Sequence, residues 1–344
     1  MPTQVESTEA QGLELVRDLE VPPAGFSAVT ASQHELRRYG LPLRPDQDIH
    51  PVQAALWDRF ASRSLRFVRP SLEPFPDRPP SELRDLRTHK LHADPIEAET
   101  IERALHQRGI RLCQLFPTTS SNWSGAKADR PSSEQLVTVT GEWVVPAVVP
   151  PQSAWNGKAY DDGTYICVVW VGLDGTDGTG DVLQAGTGSQ VDVSGGVVTS
   201  TSYFAWTEWF GNAWKVADQF PVNPGESILC TVCAPFDNDH GAALFVNQTT
   251  GLAWNHPIDP PANVALTGNV AEWIVEDPTN LSTGFLYPFP NYGLATFTNC
   301  AAGTKHISLD LGDACPINLT DGAGKVISQG TIDSDTTMTC NFLT

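Results

Sequence analysis

Positive charge is scarce over most of this 344-residue chain. From Thr118 onward there are 6 Lys+Arg against 23 Asp+Glu, whereas residues 1–117 hold 15 against 17. A formal charge of −19 argues against nucleic acid and against an anionic membrane surface as partners. Long apolar runs are also missing. No stretch approaches the roughly 18 residues that a spanning helix needs, so no membrane segment is expected. The first residues, Met1-Pro2-Thr3-Gln4-Val5-Glu6, have neither a basic region nor an apolar run and do not read as a signal peptide. Location stays open on these grounds, because the acidic, Trp-rich part resembles a secreted protein and the start does not.

Familiar catalytic templates are absent too. There is no GxSxG elbow and no HExxH, and the Asp-Gly turns do not repeat as EF-hand loops. Asp174-Gly175-Thr176 has the letters of an aspartic-protease loop in the wrong order and without a second copy. Seven cysteines are an odd number. Cys230 and Cys233 have CxxC spacing, but they lie in a strand-like run, Ser227 to Ala234, where their side chains point to opposite faces. That is poor geometry for a metal, and none is expected. Cys300, Cys315 and Cys340 are the candidates for one C-terminal disulfide.

What is present divides the chain in two. Residues 1–117 form an N-terminal segment with helical pieces at 31–38 (Thr30 as cap, Gly40 as stop), 52–60 and 95–112, and a Pro-rich connector at 70–80. This segment reads equally as a pro-segment, a small docking domain or a packed extension. Residues 118–344 carry 9 of the 10 tryptophans and read as many short strands with Gly-, Asp- and Asn-rich turns between them. Helical crossovers are missing, which excludes a parallel α/β fold. The expectation is an all-β sandwich of two antiparallel sheets, preceded by the partly helical segment. Acidity of this degree suits acidic surroundings, where protonation relieves self-repulsion, although solubility alone also accounts for it.

Two polar residues stand out inside apolar strands: Gln184 in Val182-Leu183-Gln184-Ala185-Gly186, and Glu276 in Ala271-Glu272-Trp273-Ile274-Val275-Glu276-Asp277. Buried polar groups are costly unless paired or used. Strand alternation puts Glu272 and Glu276 on one face. A buried carboxylate of this kind can take a proton from water, and an amide can donate to a developing oxyanion. Trp170, Trp206 and Trp209 are expected to wall a groove for extended substrate, with Glu208 and Asp174 nearby. An alternative is a carbohydrate-binding sandwich whose polar and aromatic strand residues touch sugar and whose Asp-Gly turns hold Ca²⁺.

Six blocks run in the order of a known family: Ser121-Asn122-Trp123-Ser124-Gly125-Ala126, Trp143-Val144-Val145-Pro146, Val169 to Gly175, Val182 to Gly186, Tyr203 to Phe210, and Ala271 to Asp277. From about Ser121 to its end the chain resembles the glutamic peptidases, or eqolisins. The resemblance implies a concanavalin-like sandwich and an acid endopeptidase acting on protein substrates without metal or cofactor, with a monomer expected. It implies Glu276 as the acid/base that activates water and Gln184 as the oxyanion partner. Trp123, Trp170, Asp174 and Glu208 match residues that line or support the site, and Glu272 becomes secondary. Two departures are visible. Phe204 stands where the family usually has Asp, and no Cys pair joins the Asp-Gly turn to the stretch before the Glu276 strand. Relatives in that family carry a pro-segment, a role open to residues 1–117, and the abrupt compositional boundary there makes Leu115 to Ser121 the expected place of a cut.

Overall fold

The computed structural model describes residues 20–75, 113, 117–176, 181–234, 240–280 and 282–343. The helix expected at 95–112 lies outside them. Among the described residues, two α-helices precede the strands. The first, α1, is Gln33–Arg38, and its N-cap is Ser32 in place of the expected Thr30. The Ser32 hydroxyl accepts from the Glu35 amide at 3.2 Å, and the Glu35 carboxylate accepts from the Ser32 amide at 2.8 Å. This reciprocal capping box satisfies donors that Thr30 could not reach. The second, α2, is Pro51–Ala61, with Pro at its first turn.

The strands in chain order are β1 Arg66–Phe67, β2 Leu72–Pro74, β3 Thr118–Ser120, β4 Trp123–Asp129, β5 Thr138–Val144, β6 Gly163–Asp174, β7 Val182–Ser194, β8 Val197–Trp209, β9 Lys215–Ala217, β10 Ser227–Cys233, β11 Gly241–Asn247, β12 Leu252–Ile258, β13 Val270–Glu276, β14 Thr279–Asn280, β15 Phe285–Leu286, β16 Leu294–Gly303, β17 Ser308–Leu309, β18 Ala314–Thr320, β19 Val326–Ser334 and β20 Thr337–Phe342. Pairing builds two layers. One runs β2-β9-β8-β7-β6-β13-β4-β18. The other runs β1-β12-β11-β10-β5-β16-β20-β19. The β18–β19 pairing joins them at one end. Among the described strands, all pairings are antiparallel except two short ones, β1 with β12 and β3 with β18. The expected sandwich is the observed one.

Strand alternation sorts the side chains into three regions. Trp143, Trp209, Phe245, Trp273 and Phe297 fill the space between the layers. Trp123, Trp170, Trp206, Trp214 and Ile274 lie on the other face of the first layer. Leu229, Leu244, Val246 and Ala253 lie on the outer face of the second layer, where Leu36, Leu56, Trp57 and Phe60 cover them. The N-terminal segment is thus built into the sandwich. It adds β1 to one layer and β2 to the other. Phe75 sits against Trp214 and Phe204 at ring separations of 5.2 and 5.6 Å, and an Arg59–Glu142 ion pair ties α2 to β5.

The disulfide differs from expectation. Cys315 pairs with Cys113, 202 residues earlier, while Cys300 and Cys340 are buried thiols. They sit on β16 and β20 within the sandwich core, whereas β18 presents Cys315 at the edge of the first layer, within reach of the N-terminal segment.

Candidate active site

Five neighbouring strands of the first layer build the row that holds the polar residues. In register across the layer, Lys127 of β4 faces Glu272 of β13, which faces Gly172 of β6, then Gln184 of β7, then Glu208 of β8. Gln184 and Glu272 are therefore two strand spacings apart, roughly 10 Å at the backbone, with a glycine between them. Glu276 lies four residues along β13 from that row, roughly 13 Å farther on, opposite Val168.

Direct contact between Gln184 and Glu276 is thus not what the layer provides. The Trp170 side chain spans the interval. A Cβ at Gly172 would lie 2.8 Å from the Trp170 Cζ3, so the six-membered edge of the indole lies over Gly172, beside Gln184. The opposite edge of the ring donates Nε1–H to Glu276 Oε2 at 2.9 Å. Gly186 allows this, because a Cβ there would fall 2.6 Å from the Trp170 Cβ. Trp123 packs edge-on against Trp170, with centroids 5.1 Å apart.

Each polar group has a fixed orienting partner. Gln184 Nε2 donates to Glu208 Oε2 at 2.6 Å. An amide nitrogen carries two hydrogens, so the second remains for another acceptor. Glu276 Oε1 accepts from Asn122 Nδ2 at 3.4 Å, and Ser120 holds the Asn122 amide from the other side at 3.2 Å. Asn122 sits within the Ser121 to Ala126 block, yet sequence reasoning gave it no role. An Asn beside an aromatic strand start gave no signal of its own.

Asp174 ends β6 at φ 66°, a conformation uncommon outside glycine. From there its carboxylate accepts the backbone N–H groups of Thr267, Gly268 and Asn269 at 2.7–2.9 Å. These residues lead directly into β13, so Asp174 sets the start of the strand that carries Glu272 and Glu276. A carboxylate committed to three N–H donors is poorly placed to ligate calcium, which removes Asp174 from the carbohydrate-binding alternative; Asp177 and Gly178 of the same turn lie outside the described residues. Among the described residues no cluster of His, Cys, Asp and Glu could hold a metal ion.

Two expectations need correction. Trp209 does not wall a groove. It faces the core between the layers, and its Nε1 donates to Asp181 Oδ2 at 3.0 Å. Alternation requires this, because Trp206 and Glu208 take the opposite face. Trp206 does belong to the site face, stacked on Trp214 at 4.9 Å. Nor is the site an open groove, since Gln184, Glu272 and Trp170 are 0 % exposed and Glu276 is 1 % exposed.

Burial acts on the neighbouring carboxyls. It pushes Asp181 up to about 6, against the lowering effect of the Trp209 N–H and with a further push from Asp174. It raises Asp174 despite the backbone donors. It raises Asp277 well above the usual range, with the Glu276 charge adding to it.

Residues 121–342 match the model of the Peptidase A4 family. Aspergillopepsin-2 of Aspergillus niger is 30% identical over 226 residues, covering 63% of this chain and 76% of that protein. Scytalidopepsin B of Scytalidium lignicola is 28% identical over 269 residues, covering 76% and 88%. Among solved structures, scytalido-glutamic peptidase with a transition state analog inhibitor matches with a TM-score of 0.53 at 25% identity, over 65% of this chain and 98% of that one. The eqolisin SCP-B in complex with the tripeptide Ala-Ile-His matches with a TM-score of 0.51, also at 25% identity and with the same coverage.

Proposed function

The chain belongs to the peptidase A4 family and is a peptidase, and from that premise we propose that it is an acid endopeptidase working through Gln184 and Glu276. The observation that carries the reading is the placement of these two side chains on one face of one sheet, at opposite edges of the Trp170 indole, each already oriented by a fixed partner. A peptide lying across the indole would run from one of these side chains toward the other.

In this mechanism Glu276 takes a proton from a water, whose oxygen attacks the carbonyl carbon. The second Gln184 N–H donates to the oxygen that gains charge. As the tetrahedral intermediate collapses, the C–N bond breaks and Glu276 returns the proton to the leaving amine. Glu208 is a positioning residue for the Gln184 amide, and Asp174 is one for β13. Glu272, in the same row as Gln184, is the nearest competing carboxylate. An acidic optimum is supported by the charge imbalance after Thr118 and by the raised carboxyls Asp174, Asp181 and Asp277.

Burial of Gln184 and Glu276 supports reading the full-length chain as a zymogen, with residues 1–117 as its pro-segment cut near Leu115 to Ser121. A digest of denatured protein at roughly pH 2–4, within and below the carboxyl range, tests both ideas. Cleavage should follow acid incubation and coincide with a new N terminus in that stretch. A fully active, uncut chain would sink the zymogen reading. Cleavage that survives in both Gln184→Ala and Glu276→Gln would sink the dyad.

A further inference from the structure

A cavity lies on the far side of the sandwich from Gln184 and Glu276. It has a volume of about 570 Å³ and opens between the N-terminal helices and the outer face of the second layer. Leu41, Trp57 and Phe60 form one wall, and Leu229 and Leu244 the other. Cavities of roughly 300–1,000 Å³ with mostly apolar walls and a few polar groups are the usual form of small-molecule sites.

Gln53 points to that use. It lies on α2 in the same stripe as Leu56, Trp57 and Phe60, at spacings of three, four and seven residues. Leucine would suit that stripe. Instead an amide lines the cavity at 7 % exposure, with both Oε1 and Nε2 shielded and without a hydrogen-bond partner among the described residues. An unpaired buried amide costs about 1–3 kcal/mol. A primary amide presents one donor and one acceptor side by side. Its complement is a group with the same pair reversed, namely another primary amide or an undissociated carboxylic acid.

We propose that this cavity is a binding site for an aliphatic carboxylic acid in its neutral form, or for the corresponding primary amide, with the head group paired to Gln53 and the chain along the leucine and aromatic walls. The titratable groups lining the cavity are Glu20, His34, Arg37, Arg38, His50 and Cys233; Glu20 and Arg38 are exposed, whereas the Arg37 Nε is shielded from solvent. Arg38 is engaged by Glu20 at 2.7 Å. The site is separate from the peptidase machinery, and it fits acidic conditions because a carboxylic acid is neutral below about pH 4.

The test uses the full-length protein with decanoic acid and decanamide as probes, read by calorimetric titration and by the thermal shift that specific binding produces. Decanamide should bind equally at pH 4 and pH 7. Decanoic acid should bind at least tenfold more weakly at pH 7. Gln53→Leu should weaken both probes at least tenfold while the fold is kept. Leu244→Trp, which fills the cavity, should abolish binding and leave acid proteolysis unchanged. Four outcomes overturn the proposal: no binding to the wild-type chain, unchanged binding to Gln53→Leu, decanoic acid affinity that rises with pH (which would mark arginine recognition), or binding that emerges only when residues 1–19 are deleted.

Discussion

Trp170 donates its indole N–H to Glu276 at 2.9 Å, and both side chains are buried on the same face of the sheet. The bond fixes one carboxylate oxygen and leaves the direction of the other to Asn122. Trp170→Phe keeps the ring and removes the donor. A hydrogen bond to a charged group is worth about 1.5–3 kcal/mol, so kcat should fall roughly 10- to 100-fold with KM changed far less. Glu276→Gln should fall much further. Glu272→Gln separates the two carboxylates of β13, and a small effect is expected. If it is the more damaging of the pair in steady-state digests, the base is Glu272, across Gly172 from Gln184.

Gln184 donates to Glu208 at 2.6 Å, which fixes the face its amide presents. Glu208→Gln replaces a carboxylate acceptor with an amide that can turn either way. We expect kcat to drop roughly 10- to 100-fold by the same reckoning, with KM nearly constant. Glu208→Asp should restore less than half of the lost barrier, because its shorter side chain cannot reach the same nitrogen. Loss in KM alone would make Glu208 a substrate contact in place of a positioning residue.

Much of this is legible in the sequence itself. Alternation in Tyr203 to Phe210 and in Ala271 to Asp277 assigns every side chain to the correct face, because a pleated strand permits only two directions. The same rule already separates Trp209 from Trp206, and grouping them together as groove walls overrode it. The register of neighbouring strands is another matter. That Gln184 meets Gly172, which on its other side meets Glu272, while Glu276 meets Val168, depends on how strands separated by dozens of residues slide past one another. Pattern within one strand carries no such information. The Cys113–Cys315 pairing was hidden for the same reason, since it joins positions 202 residues apart.

Asp181 gives the fold a pH dependence of definite sign. Burial raises its carboxyl from 3.8 to about 6, so the folded state prefers the protonated form. The stabilisation is complete below the unfolded value and is lost as pH rises through about 6, on the order of 2–3 kcal/mol in all. Asp174 and Asp277, also raised, act in the same direction. Thermal unfolding at pH 4 and pH 7 should show the acid form more stable, by roughly 5 °C for the Asp181 share. Asp181→Asn keeps an acceptor for the Trp209 N–H and cannot ionise, so it should flatten that share of the curve. An unchanged slope would remove Asp181 as a cause.

The N-terminal segment should stay with the enzyme after it is cut. Cleavage near Leu115 to Ser121 falls after Cys113, and Cys113 is bonded to Cys315 in the sandwich. Behind that tether, β1 pairs with β12, β2 pairs with β9, and the helices bury Leu56, Trp57 and Phe60 against Leu229 and Leu244. Separation would return those apolar surfaces to water at about 25 cal/mol per Å². Acid-treated protein should therefore run as one species on a non-reducing denaturing gel and as two after reduction. Reduction without denaturant should leave the two parts together on size exclusion, because the strand pairing and helix docking do not depend on the sulfur bridge. Release of the N-terminal part under native, non-reducing conditions would mean that a further cut precedes Cys113 and that the docking is too weak to hold by itself.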